Sequence, residues 1–98
     1  MKIPNEIKIL GHTYKIIWDK TRLLDNEWAK NFPDKGEIVM SEDIPKEWRF
    51  SCFLHEILHT IDYHCGLELS HQTITTLDAA LSQVFMQTMQ LNLKDDNV

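Results

Sequence analysis

Two histidines, His55 and His59, enclose a glutamate in the segment His55-Glu56-Ile57-Leu58-His59. On a helix, residues four apart sit one turn apart and point the same way. Two imidazoles so placed can share one metal ion. Nitrogen donors and an open coordination position favour zinc. Glu56 follows His55 by about 100° around the helix axis, so it flanks the ion instead of binding it. A carboxylate there is placed to act as a general base toward water acidified by the metal, which is the chemistry of a metallopeptidase.

The helix that must carry these residues is expected from about Pro45 to Cys65. Pro45 suits the first turn and Gly66 is a natural stop. On a helical wheel Phe50, Phe53, Leu54, Ile57, Leu58 and Ile61 gather into one apolar stripe, and His55, Glu56 and His59 fall on the other side. Core histidines would face the stripe. His64 and Cys65 point well away from His59 and are poor ligands for the same ion. Cys65 is expected to be a packed thiol, Cys52 a core or rim residue, and His12, beside the turn glycine Gly11, a surface residue. A metzincin site would need Gly at position 62 and His at 65, where this chain has Asp62 and Cys65. Asp62, one turn beyond His59, is expected either to partner an imidazole N–H or to be a plain surface carboxylate.

A catalytic zinc takes three protein ligands and a water. In enzymes of the gluzincin kind the third ligand comes from a following helix. Here Leu67 to Ser70 form a short turn with Ser70 as N-cap, and a second helix is expected from about His71 to Leu93. So short a connection makes it fold back antiparallel to the first. Ile74, Leu77, Leu81, Val84 and Phe85 predict its core face, with His71, Thr75, Asp78 and Ser82 in a polar line along the edge of that face. His71 and Asp78 are the two candidate third ligands.

The elements in front of the helices read as strands. Ile7 and Ile9 alternate with polar residues, as do Tyr14, Ile16 and Trp18, and Gly11 sits between the two runs as a tight turn. Residues 19–35 lack periodicity and read as a long loop, and 36–40, GEIVM, as a third strand. The expected architecture is α+β: a small three-stranded antiparallel sheet packed on two long antiparallel helices. A single domain is expected over 1–98, with strands and loop in 1–44, helices in 45–65 and 70–93, and a frayed tail in 94–98.

Composition sets limits on function. The chain has 98 residues, 43% hydrophobic and 26% charged, with a net charge of −5, the profile of an ordinary soluble globule. With no dense Lys/Arg cluster, nucleic acid is not an expected partner. No apolar run approaches the ~20 residues of a membrane span, and MKIPNEIKIL lacks a signal-peptide core, so a cytoplasmic location away from membranes is expected. Cys52 and Cys65 lie in one helix about 20 Å apart, too far for a disulfide, and are expected to be free thiols.

The LHEILHTIDY segment and the Gly66 turn after it resemble small phage and prophage proteins related to the ImmA/IrrE-like metallopeptidases. EIKILGHTYKIIWDK and GEIVMSEDIP match the style of the same group, and the likeness spans most of the chain. The resemblance implies a zincin-like fold of minimal gluzincin type, with Zn2+ on His55 and His59 and Glu56 as base. It also implies a protein or peptide substrate, with a regulatory protein such as a repressor among the candidates. Such enzymes hold the peptide extended along an edge strand, for which GEIVM is the candidate. In many relatives a glutamate on the second helix is the third ligand, and alignment puts Thr75 there. Thr75 cannot replace it, so His71 one turn earlier or Asp78 one turn later must do so. His71 is favoured, since its side chain is the longer and zinc takes imidazole readily. Two functions follow: a zinc-dependent metallopeptidase, or a catalytically inactive zincin-like regulatory or protein-binding module. Small size and Thr75 point to the second. A third reading is a helical interaction protein in which the histidine spacing is accidental.

Overall fold

The hairpin signal at Gly11 is realised in the computed structural model, which describes residues 2–96 and the side chains of residues 2–88. Strands β1 (Glu6–Ile9) and β2 (His12–Trp18) pair antiparallel, with Ile7 opposite Tyr14 and Ile9 opposite His12. Leu10 and Gly11 both take positive φ, 52° and 81°, as a two-residue turn between right-twisted strands requires.

The sheet differs from the expected one. It has four strands and is mixed, in the order β1-β2-β4-β3. The unexpected strand is β3 (Ala29–Phe32), inside the stretch read as a loop, which also holds a 3-10 helix at Lys20–Arg22. β4 (Glu37–Met40) pairs antiparallel with β3 but parallel with β2. A parallel pair needs a crossover of a dozen or more residues, and 19–36 supply it. The Ala-Lys-Asn-Phe run of β3 carries no alternating apolar signal, so its partner β4 makes it a strand. The β3–β4 turn ends at Gly36, where φ is 62° and a Cβ would come within 2.9 Å of the Thr13 carbonyl oxygen.

Helix α1 (Lys46–Cys65) follows Pro45 and ends on Gly66, whose left-handed φ of 60° lets its N–H donate to the Asp62 carbonyl. One sheet face packs against α1. Ile9, Tyr14, Ile16, Ile38 and Met40 are buried there with Ile44 and Phe53. Helix α2 (His71–Asp96) begins after Ser70, whose Oγ accepts the Thr73 N–H at 3.1 Å. The expected end at Leu93 is passed by three residues, since Lys94, Asp95 and Asp96 contain no helix stop. Of the tail expected to fray, 97–98 lie outside the described residues.

Contacts between the helices run in reverse order, His59 with His71, Ser51 with Asp78 and Phe50 with Phe85, so the pair is antiparallel. The sheet does not pack on both helices as expected. It packs on α1, and α2 packs chiefly on α1. The expected core face of α2 is therefore only partly covered: Ile74 is fully buried, while Leu77, Val84 and Phe85 are exposed. Asp78 and Ser82 of the polar line are buried instead. Among the described residues no helix is long and apolar enough to cross a membrane.

Candidate metal centre

Four residues of α1 and two of α2 build the site. Because α1 keeps its apolar stripe on the sheet, His55 and His59 turn toward α2 and the end of β3. Their Nε2 atoms lie 3.1 Å apart. Two nitrogens at ~2.0–2.1 Å from one tetrahedral ion would stand about 3.3 Å apart. His71, the first residue of α2, completes the group: one ring nitrogen from each of His55, His59 and His71 lies within 4.8 Å of the others. His55 and His59 are half-buried and His71 is exposed. This donor set fits zinc, being three imidazoles with an open side.

Asp78 stands outside this group of converging nitrogens. Its Oδ2 accepts a hydrogen bond from His55 Nδ1–H at 2.6 Å, and its Oδ1 accepts one from the Ser51 hydroxyl at 3.1 Å. A proton held on Nδ1 leaves the Nε2 lone pair of His55 free for a metal, the usual role of a carboxylate behind a ligating histidine. Asp62 has a different task. Its Oδ1 accepts the Leu69 N–H at 3.3 Å, so it ties down the α1–α2 turn that delivers His71.

Glu56 lies beside the histidines with 7% of its surface exposed. Burial pushes its carboxyl up to about 7, against the lowering influence of His55 and of a hydrogen bond from the Asn31 backbone. The wheel put Glu56 on the face away from the core, yet it is buried, because β3 and α2 close over that face. His59 is held below the usual imidazole value by burial, with further lowering from His55 and His71.

Asn31 was not visible as a site residue in the sequence. Besides its backbone bond to Glu56, its Nδ2 donates to Thr60 Oγ1 at 3.4 Å, and Thr60 in turn donates to the Glu56 carbonyl at 2.8 Å. These bonds fasten the edge strand to the helix turn that carries the glutamate. No local pattern in residues 19–35 could have signalled this, since the contact exists only once β3 pairs with β4.

Three further expectations are corrected or refined. GEIVM is not an edge strand, for β4 is paired on both sides and β3 forms the edge beside the site. Cys65 is exposed rather than packed, because it is His64, its neighbour in the last turn of α1, that meets β2, whereas Cys52 is half-buried; both thiols are free. His12 is exposed but not isolated. It shares the α1-facing side of β2 with Tyr14, and its ring stacks on His64 with centroids 4.0 Å apart. His64 Nε2 also pairs with the Tyr14 hydroxyl at 2.5 Å, which keeps it away from the three-histidine group.

The chain matches no family model, no curated protein and no solved structure.

Proposed function

We propose that this chain is a zinc-dependent metallopeptidase of minimal zincin-like build, related to the ImmA/IrrE-like group and acting on a protein or peptide substrate. The observation that carries the reading is the convergence of His55, His59 and His71 on one point, with Asp78 behind His55 and Glu56 buried alongside. His55, His59 and His71 would hold the ion. Zinc, when bound, supplies Lewis acidity that polarises a carbonyl and lowers the pKa of water.

Glu56 takes the proton from the attacking water and returns it to the leaving amine. Its low exposure, 7%, limits the bulk water that reaches the carboxylate. β3 orients the substrate. The Ser41 N–H donates to the Trp28 carbonyl at 2.8 Å, so the alternation of an antiparallel ladder turns the backbone of Ala29 and Asn31 outward. That outer edge offers the Ala29 N–H and C=O and the Asn31 C=O to an extended peptide, while the Asn31 N–H serves Glu56.

A second reading, an inactive zincin-like module that binds a regulatory protein, draws on the uncovered apolar residues Leu77, Val84 and Phe85 of α2. Glu56→Gln separates the two. The zinc-loaded variant is compared with the parent on an unfolded protein such as casein, with cleavage read by mass spectrometry. A peptidase loses at least about 100-fold of its rate. Cleavage that survives the substitution does not come from this site, and it leaves the binding module standing, as does no cleavage by the parent.

A further inference from the structure

From His55, Glu56 and His71 a cleft of about 360 Å³ runs on to residues that the proposed chemistry does not use. It is lined by Trp28, immediately before β3, and Trp48, in the first turn of α1, together with Ala29 and Thr75. The two indoles meet edge to face, with centroids 6.0 Å apart and planes at 84°. Both are large apolar side chains left open, Trp28 at 43% and Trp48 at 55% exposure. The same cleft is bordered by His55, Glu56 and His71, so whatever fills it touches the site.

The chemistry of the walls selects the occupant. Asp78 also lines the cleft, with one oxygen bonded by Ser51 and one by His55. Glu56 is nearly closed off. A cationic side chain entering the cleft would lose its hydration and meet an Asp78 carboxylate whose oxygens already accept bonds from Ser51 and His55. An aromatic side chain would find two indole rings set for edge-to-face contact, worth about 0.5–1.5 kcal/mol beyond the area it buries.

We propose that this cleft is a specificity pocket that takes a bulky apolar, preferably aromatic, side chain next to the bond to be cut. Trp48 and Trp28 are its determinants. The position of Trp28 explains how the pocket is kept in register with the site: its carbonyl is fixed to the Ser41 N–H at 2.8 Å, one residue before the outward-facing Ala29. A peptide laid along β3 therefore passes the indoles and the histidines in succession. Thr75 adds a methyl group to this wall and no charge. The inference rests on the metallopeptidase reading and narrows its substrates to those with such a residue at the cut.

Three zinc-binding probes test it without relying on turnover: acetohydroxamate, and the hydroxamates of N-acetylphenylalanine and N-acetyllysine. Each is titrated calorimetrically into the zinc-loaded chain. The phenylalanine probe is expected to bind about tenfold tighter than acetohydroxamate, and the lysine probe no tighter than acetohydroxamate. Trp48→Ala should cut the phenylalanine-to-acetohydroxamate ratio to about twofold, and Trp48→Phe should keep most of it. A phenylalanine probe no better than acetohydroxamate, a ratio that survives Trp48→Ala, or a preference for the lysine probe would overturn the pocket. Failure of acetohydroxamate itself to bind would overturn the metal centre beneath it, and the pocket with it.

Discussion

His55 Nδ1 lies 2.6 Å from Asp78 Oδ2, a bond that crosses from the middle of α1 to the second turn of α2. Both side chains are largely buried, and the other Asp78 oxygen is held by Ser51. The bond fixes which imidazole nitrogen carries the proton and how the ring is turned, two things a metal ligand requires.

Removing that carboxylate should weaken the site without touching a ligand. Asp78→Ala is expected to lower zinc affinity about 10–100-fold, measured by competition with a chromophoric chelator. It should also destabilise the metal-free fold by about 1–3 kcal/mol, because the His55 N–H and the Ser51 hydroxyl lose their acceptor. Asp78→Asn keeps an acceptor for Nδ1–H and should lose less of both. An Asp78→Ala protein with unchanged zinc affinity would mean that His55 is not positioned this way.

The buried Glu56 gives the metal-free protein a particular pH response. An exposed glutamate ionises near 4.5, whereas Glu56 in the fold ionises at about 7. Between those values the unfolded chain has released a proton that the folded chain keeps, so the Glu56 contribution to stability is lost as pH rises across the window. His59 works the other way. Its folded pKa is held below the usual 6.5, so the unfolded chain takes up a proton first and stability falls as pH drops through 6.5. The two effects overlap, and the difference between parent and Glu56→Gln isolates the first. With chelator present, the variant should gain on the parent from pH 4.5 to 7, by on the order of 3 kcal/mol in denaturant titrations. A difference that is flat with pH would show that Glu56 is not held protonated by burial.

Much of this arrangement was legible in the sequence where the signal is local. The i, i+4 spacing of His55 and His59, the Gly66 stop and the Ser70 cap are decided within one or two turns of chain, and the helices lie where they were expected. His71 could be nominated because a four-residue connection forces α2 back along α1. What was not legible depends on distant partners. β3 is a strand only because β4 lies beside it, and the parallel β2–β4 pairing turned the expected edge strand into an interior one. For the same reason Asn31 and the burial of Glu56 could not be read from a wheel. A wheel shows which residues share a side, not what closes over it. The apolar face of α2 erred in the other direction, since no sheet surface reaches Val84 and Phe85 to cover them.

Ser82, one turn beyond Asp78, offers a check on the packing of α2. Its hydroxyl is buried, and it has no hydrogen-bond partner among the described residues. Replacing an unsatisfied buried hydroxyl by a methyl group removes a desolvation penalty of about 1–3 kcal/mol. Ser82→Ala is therefore expected to leave stability unchanged or raise it in thermal melts. A loss greater than about 1 kcal/mol would mean that the hydroxyl is bonded and that α2 sits differently against α1.

The central claim is that His55, His59 and His71 together hold one metal ion. Metal analysis of protein stripped with chelator, reloaded with zinc and passed through a desalting column tests it most directly. The account predicts one zinc per chain in the parent, none in His55→Ala or His59→Ala, and an affinity at least about 100-fold lower in His71→Ala. A parent that retains no zinc, or a His71→Ala protein that binds it as tightly as the parent, would contradict it.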